Sequence, residues 1–466
     1  MNHARIDRRR FLSSSAAAAA GVSLPYLIPS HVLGAPGKPG ANEKVHVGVI
    51  GCGGRSRVIR EGADVKAFQV VAACDCFLPR AAGFVKELSG GAKWGVYDDF
   101  RKMIEKEKLD GVMVETTTHA RAWIVIQAMK AGVDTYIEKP MCLTIAEGRA
   151  LVTAARKYNR VTQVGTQQRS MPINNWASDL VKNGTLGKCL TVIAPNFVGP
   201  DRWSNQPAQP LPKGGRGNWW DVWTNQAVLR PYHTLLQHGW DRWWDYDGGG
   251  RCFGVTGWGT HSYDQINRAL GTDDTGPAEI LLEEPVRVSM TGKYAPQLRL
   301  GGLVGQEDTG TAYHGMAKLE GPRAKVTMKF ASGTQLKLHL DGDRGPGLGA
   351  IFACEHGKIE INRNKIASNP KDIVKLPGNP GPNKRPETAY HIENWVECVK
   401  SRKRCNADIE IGQRATTLCY LVNIVRDIGR VGEPLKWDPA NERFTNCDEA
   451  NQLLSRQRRK GYELPV

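Results

Sequence analysis

Val45-His46-Val47-Gly48-Val49-Ile50-Gly51-Cys52-Gly53-Gly54-Arg55-Ser56 is the stretch that decides the fold. Its first half is an apolar run of strand length, the habit of a strand buried on both faces of a parallel sheet. Three glycines follow, then a helical pattern to about Val65. The alternation continues, with strands expected at Gln69–Cys74, Gly111–Glu115, Val133–Glu138 and Val161–Gly165. Helices are expected at Asp99–Lys106, His119–Ala131 and Ile145–Tyr158. Strands alternating with helices make a doubly wound parallel sheet, here expected to have six strands.

Such sheets bind ligands beyond the C-terminal ends of their strands. Gly51 permits the tight turn, and Gly53, with Gly54, Arg55 and Ser56, lets backbone approach a pyrophosphate at the helix start. Asp75, at the end of the second strand and 24 residues after Gly51, would accept from both ribose hydroxyls and repel a 2′-phosphate. NAD is therefore expected over NADP; an ordinary strand-end turn residue is the other reading of Asp75. Thr116, Thr117, His119, Glu138, Lys139 and Gln167 lie at the remaining strand ends and complete the expected cofactor set.

With 466 residues, 41% hydrophobic and 24% charged, the chain suits two or three globular domains. Eleven cysteines are too few for a disulfide scaffold. Residues 1–34 read as a twin-arginine (Tat) leader: Arg8-Arg9-Arg10-Phe11-Leu12, then serines and alanines, with small residues near Val32–Ala35. Export to the periplasm by the Tat machinery is expected. The formal charge is +16, of which the leader carries four arginines against Asp7, leaving +13. The basic residues are scattered rather than gathered on one stretch, so nucleic acid is not an expected partner.

The Rossmann pattern with Glu138-Lys139-Pro140 and Gly165-Thr166-Gln167-Gln168-Arg169 resembles the Gfo/Idh/MocA oxidoreductase family. Trp243-Trp244-Asp245-Tyr246-Asp247-Gly248-Gly249-Gly250 and Gly257-Trp258-Gly259-Thr260-His261-Ser262-Tyr263-Asp264 extend the likeness. The resemblance implies an α/β protein with an N-terminal Rossmann domain (45–168) after a linker (35–44). It also implies a C-terminal α/β substrate and oligomerisation domain (169–435) on a large open, mostly antiparallel sheet. Helices at 391–430 would pack back toward the first domain, with a tail at 436–466. A homo-oligomer, dimer or tetramer, is implied as well.

From Cys189 the pattern turns to strands: Leu190–Asn196, Ile280–Met290, Ala312–Leu319, Ala324–Phe330, Gln335–Leu340, Gly349–Cys354 and Gly357–Asn362. Eight of the 13 tryptophans fall between 203 and 258, as platforms for sugar faces or as packing. Lys139 would aim a cation at a developing alkoxide, and His261 resembles the family's motif histidine, whose proposed task is general base. Many family members carry Asp where this chain has Gly257, so Tyr263, His233 and His119 stand as other candidate bases. The expected substrate contacts are His119, Arg169, Tyr232, His233, Arg242, Trp258 and His261; His391 is a further candidate, and no metal is expected. The expected activity is NAD(H)-dependent oxidation or reduction of a secondary hydroxyl of a sugar or glycoside, with tightly held dinucleotide. A redox-neutral glycosidase acting through transient C3 oxidation and elimination is the alternative. A non-catalytic sugar-binding protein is the second.

Overall fold

A parallel strand rhythm gives way to an antiparallel one near residue 189, and two sheets result. The computed structural model describes residues 40, 43–204, 206–250, 253–289, 303–305, 321–340 and 346–465. Both sheets lie in the compact unit 45–466. The first contains β1 (Val45–Ile50), β2 (Phe68–Cys74), β3 (Gly95–Tyr97), β4 (Gly111–Val114), β5 (Asp134–Ile137) and β6 (Thr162–Val164). All pairings are parallel, in the order β3-β2-β1-β4-β5-β6. The chain reverses direction across the sheet beside β1, so a crevice opens between the ends of β1 and β4, where open α/β sheets bind ligands. β4 and β5 are buried along their whole length, which explains the apolar run Val112-Met113-Val114 of β4.

Helices α1 (Leu78–Leu88), α2 (Phe100–Lys106), α3 (Thr118–Lys130) and α4 (Ile145–Lys157) connect the strands. After the glycine turn the expected helix is a 3-10 helix, Arg55–Gly62. The Ser56 hydroxyl donates back to the Gly53 carbonyl at 2.7 Å, a local bond that competes with α-helical pairing.

The second sheet has ten strands in the order β10-β16-β15-β14-β7-β13-β12-β8-β17-β18. They are β7 (Cys189–Pro195), β8 (Pro277–Leu282), β10 (Leu303–Gly305), β12 (Val326–Phe330), β13 (Gln335–Leu340), β14 (Ala350–Cys354), β15 (Gly357–Asn362), β16 (Lys365–Asn369), β17 (Leu435–Asp438) and β18 (Arg443–Phe444). Strands β9 (Arg287–Ser289) and β11 (Gly321–Arg323) form a separate ribbon. Within the large sheet β7 and β13 are parallel and the other pairs antiparallel.

One core joins this sheet to helices α5 (Pro172–Lys182), α8 (Trp258–Leu270) and α10 (Ile409–Ile428), through residues such as Ile173, Ile266, Val326, Phe352 and Leu421. Two short helices, α6 (Trp219–Thr224) and α7 (Thr234–His238), belong to the tryptophan-rich insertion. Helix α9 (Glu387–Ser401) returns to the first sheet, where Ile392, Trp395 and Val396 share a core with Val45, Val47 and Tyr136. Trp395 is fully buried against Gly111, where an added Cβ would stand 2.8 Å from the indole.

Some expectations differ from the structure. The strand read across Ile280–Met290 is divided into β8 and β9, because Pro285 offers no N–H to a ladder. Strands β3, β10, β11, β16, β17 and β18 were not anticipated, being five residues long or fewer. Residues 436–466, expected as a tail, are part of the fold: Leu435 and Lys436 pair with Ile280 and Glu279, and later arginines dock on the insertion. The strand expected at Ala312–Leu319 and the leader at 1–34 lie outside the described residues.

Candidate active site

Gly51 ends β1 with φ +90°, and a Cβ there would meet the Thr116 nitrogen at 2.8 Å, so only glycine makes this turn. At Gly53 and Gly54 an added Cβ would meet nothing within 4 Å. The open space is a cavity of about 900 Å³ whose walls include Gly51–Arg55, Asp75, Thr116 and Thr117. Asp75 accepts from the Cys52 and Phe77 backbone N–H groups, each at 3.0 Å, and Arg80 stands 3.7 Å away. Burial raises the Asp75 carboxyl above its ordinary range against the pull of Arg80 and those two donors. An open glycine cradle, a fixed carboxylate at the end of β2 and ample volume together suit a dinucleotide. Ser56 does not share in this wall; it is buried, with its hydroxyl turned to Gly53.

Beyond β5 the Lys139 ammonium donates to the Gly257 carbonyl at 3.0 Å. Gly257 immediately precedes α8, so Lys139 and His261 come within one helical turn of each other although 122 positions separate them in sequence. Burial lowers the Lys139 pKa, helped by Arg55 and Arg121 and opposed by Glu138. His261 is only 5% exposed, and burial, then Arg363, Lys139 and Arg55, hold its pKa well below the ordinary imidazole value. It is therefore neutral near pH 7. Glu138 takes Arg55 Nε at 2.7 Å and the Lys139 backbone N–H at 2.8 Å. Gln167 donates to the Tyr136 hydroxyl at 2.9 Å and to Glu138 at 3.3 Å, so it braces Glu138 and is itself buried.

Two residues at this centre escaped the sequence reading. Glu115, at the end of β4, lines the cavity with neither carboxylate oxygen hydrogen-bonded, and burial beside the charge of Glu138 pushes its pKa to about 8. Its place at a strand end was the available signal. Arg363, from the turn between β15 and β16, puts its guanidinium 3.3 Å from His261 Nε2. Nothing local to residue 363 announces that contact.

Several expected contacts are engaged elsewhere. His119 is fully buried and absent from the cavity wall; its Nε2 donates to the Trp223 carbonyl at 2.9 Å, and its ring meets Trp223 and Tyr246. Burial lowers its pKa to about 4. The insertion covers this histidine, so it joins two parts of the chain and does not meet a ligand. Arg169 directs its guanidinium at Asp264, at 2.9 Å, and Asp273, at 2.8 Å, as an internal brace. The Tyr232 hydroxyl donates to Gln237, and His233 caps α7 by accepting from the Leu235 N–H. Arg242 pairs with Asp201 and lies over Trp243. Trp258 packs on Phe253, 4.2 Å between centroids. Tyr263 is buried in the core beside Phe197, and His391 bonds Ser170 and the Val164 carbonyl. Neither is placed to serve as base.

The insertion instead reaches the cavity with Trp219, Val222, Trp223 and Trp240, facing Asp75 and α3. Its underside is a ring cluster in which Trp220 stacks on Trp223 at 4.5 Å. The basic run at 456–460 ties this cover down: Arg456 lies over Trp244, Arg458 pairs with Glu147 and Arg459 with Asp221, while Tyr462 lines the cavity. Among the described residues no cluster of three or more His, Cys, Asp or Glu is placed to hold a metal ion.

Residues 45–166 match the model of the Gfo/Idh/MocA oxidoreductase family's NAD-binding Rossmann fold, and residues 172–292 and 313–464 match the family's C-terminal α/β domain. The chain is 29% identical to D-apiose dehydrogenase of Paraburkholderia graminis, over 30% of this chain and 36% of that protein. It is 26% identical to inositol 2-dehydrogenase of Salmonella paratyphi B, over 31% and 44%. A glycosyl hydrolase family 109 protein of Shewanella pealeana is 24% identical over 50% and 54%. The chain thus spans between about a third and about half the length of these curated relatives. In structure it is similar to the WlbA dehydrogenase of Bordetella pertussis, solved with NADH and UDP-GlcNAcA, with TM-score 0.56 and 14% identity over 85% of this chain and 99% of that one. With matches across both halves of its described fold, this chain belongs to the Gfo/Idh/MocA oxidoreductase family.

Proposed function

We propose that the protein is an NAD(H)-dependent oxidoreductase acting on a secondary hydroxyl of a sugar, polyol or glycoside. The observation that carries this reading is the Lys139 ammonium bonded to the carbonyl just before α8, beside a neutral, buried His261 and one strand over from the end of β4, whose Glu115–Thr117 line the glycine crevice. NAD, when bound, supplies the hydride acceptor. Lys139 places positive charge at the substrate oxygen and lowers its pKa, and His261 receives the proton. The tryptophan cover excludes water and retains the cofactor. Residues 1–34 direct export of the folded protein to the periplasm through the Tat machinery, where a retained dinucleotide serves best, and the chain works as a homo-oligomer.

The length of the match to the family 109 glycosyl hydrolase favours a second reading, in which the same residues act in a redox-neutral hydrolysis. One experiment separates the two. Purified protein is incubated with sugars, polyols and aryl glycosides while NADH absorbance and aglycone release are followed together. Keto-sugar formation with NADH supports the oxidoreductase; aglycone release without net redox change supports the glycosidase. Neither product from any substrate overturns both.

A further inference from the structure

Arg363 sits at the tip of the β15–β16 hairpin, between Asn362 and Asn364, a place where side chains usually turn to water. Its side chain is only 25% exposed and reaches inward to His261 Nε2 at 3.3 Å, while its Nε holds Glu387 at 2.8 Å. A guanidinium can only donate, so Nε2 is the acceptor and the imidazole proton sits on Nδ1. That Nδ1 is buried and has no hydrogen-bond partner. As arranged, the lone pair needed to receive a substrate proton is occupied, and the other ring nitrogen donates to nothing.

The groups around His261 share one sign. Arg363 comes from the hairpin, Lys139 from the end of β5 and Arg55 from the glycine turn, with neutral His391 on α9. Glu138 neutralises Arg55, and Glu387 takes one edge of Arg363. The second edge of Arg363 meets an imidazole, whereas the Lys139 ammonium bonds a carbonyl and has its charge offset by Glu138 and Asp247 nearby. A substrate carboxylate is the group that would pair with Arg363 better than an uncharged ring does.

We propose that the substrate is a sugar acid, a uronate or aldonate, whose carboxylate takes the edge of Arg363 that His261 holds and so releases His261 Nε2 to receive the proton of the neighbouring hydroxyl. The proposal rests on the oxidoreductase reading above and names its substrate class. In the step, the hydroxyl O–H bond breaks, its proton passes to Nε2, and the carbinol hydride passes to NAD⁺, giving the keto acid and NADH. Arg363 binds substrate, and through its departure also frees the base.

The test uses the full chain loaded with NADH and titrated calorimetrically with D-glucuronate, D-galacturonate and D-gluconate, each against its neutral counterpart D-glucose, D-galactose or D-glucitol. At least one acid is expected to bind about tenfold tighter than its counterpart or better, the size of one charge-assisted hydrogen bond. Arg363→Gln is expected to abolish that difference and Arg363→Lys to keep part of it. Equal binding of acid and neutral sugar, absence of binding by all of them, or a preference that survives in Arg363→Gln overturns the proposal. In a parallel assay with NAD⁺ in place of NADH, NADH formation from neutral sugars without any acid preference would sink this inference while leaving the oxidoreductase reading intact. Acid preference with no NADH formation from NAD⁺ would overturn the release of His261 together with the oxidoreductase reading.

Discussion

The indole of Trp219 leans on the ring of Phe77, 4.9 Å between centroids and tilted by 50°. Phe77 follows Asp75 by two residues, and its N–H bonds the Asp75 carboxylate. The insertion therefore rests on the very turn that would read the adenosine ribose, and the wall of the cofactor cavity comes from both halves of the fold.

Trp219→Ala should loosen the dinucleotide. Removing the indole opens the cover beside Asp75 and lets solvent reach the cavity. Protein passed through repeated dialysis should keep bound NAD when wild type and lose it when mutated, with release faster by about tenfold or more for a lost contact of about 1.4 kcal/mol. Equal retention would show that the cover has no part in holding the cofactor.

For Lys139→Ala we expect turnover reduced by about 10²–10⁴-fold, the usual contribution of a positioned proton-handling group. NAD affinity should change little, because Lys139 is not in the cavity wall. Single-turnover kinetics and cofactor binding measured on the same sample decide it, and undiminished turnover would remove Lys139 from the reaction.

Asp75→Ala acts on two levels. Cys52 and Phe77 would lose the acceptor for their N–H groups, costing about 1–3 kcal/mol in thermal or urea unfolding. The barrier to a 2′-phosphate would fall at the same time, so the ratio of NAD to NADP affinity should drop. A variant that is destabilised but keeps its full preference for NAD would assign Asp75 to the turn alone.

Glu115 sets a pH slope. Its folded pKa is about 8 against an ordinary 4.5, so between those values the native chain holds a proton that the unfolded chain has lost. Stability from this group is complete below about pH 4.5 and declines as pH rises toward 8. Glu115→Gln cannot ionise, so its Tm advantage over wild type should grow across that window and level off above it. A constant difference from pH 5 to 9 would mean Glu115 is already ionised in the native state.

What the sequence disclosed was local. The apolar run of β1, the glycine turn after it and Asp75 at the end of β2 each follow from a short-range rule about strand burial, backbone freedom or strand-end placement. Lys139 was legible for the same reason, as the cation that closes β5. His119 was misplaced because its surroundings are set by Trp223, 104 residues later, whose carbonyl claims the ring. Arg169 looked like a free donor until Asp264 and Asp273 folded onto it. The raised pKa of Glu115 depends on burial and on Glu138 at the end of the neighbouring strand, and the meeting of Arg363 with His261 depends on a hairpin tip. Those are properties of the assembled fold, and residue type carries no trace of them.

The tether at Gly257 has a final consequence. A main-chain oxygen has no ionisable proton and no rotamer, so the anchor that aims the Lys139 amine is indifferent to acidity and to side-chain exchange at that position. A carboxylate there would release its grip in acid and would hold the amine in its charged form; the peptide oxygen does neither. The lysine can thus give up or regain its proton while its aim is set by α8 itself, and displacing it requires moving the start of that helix.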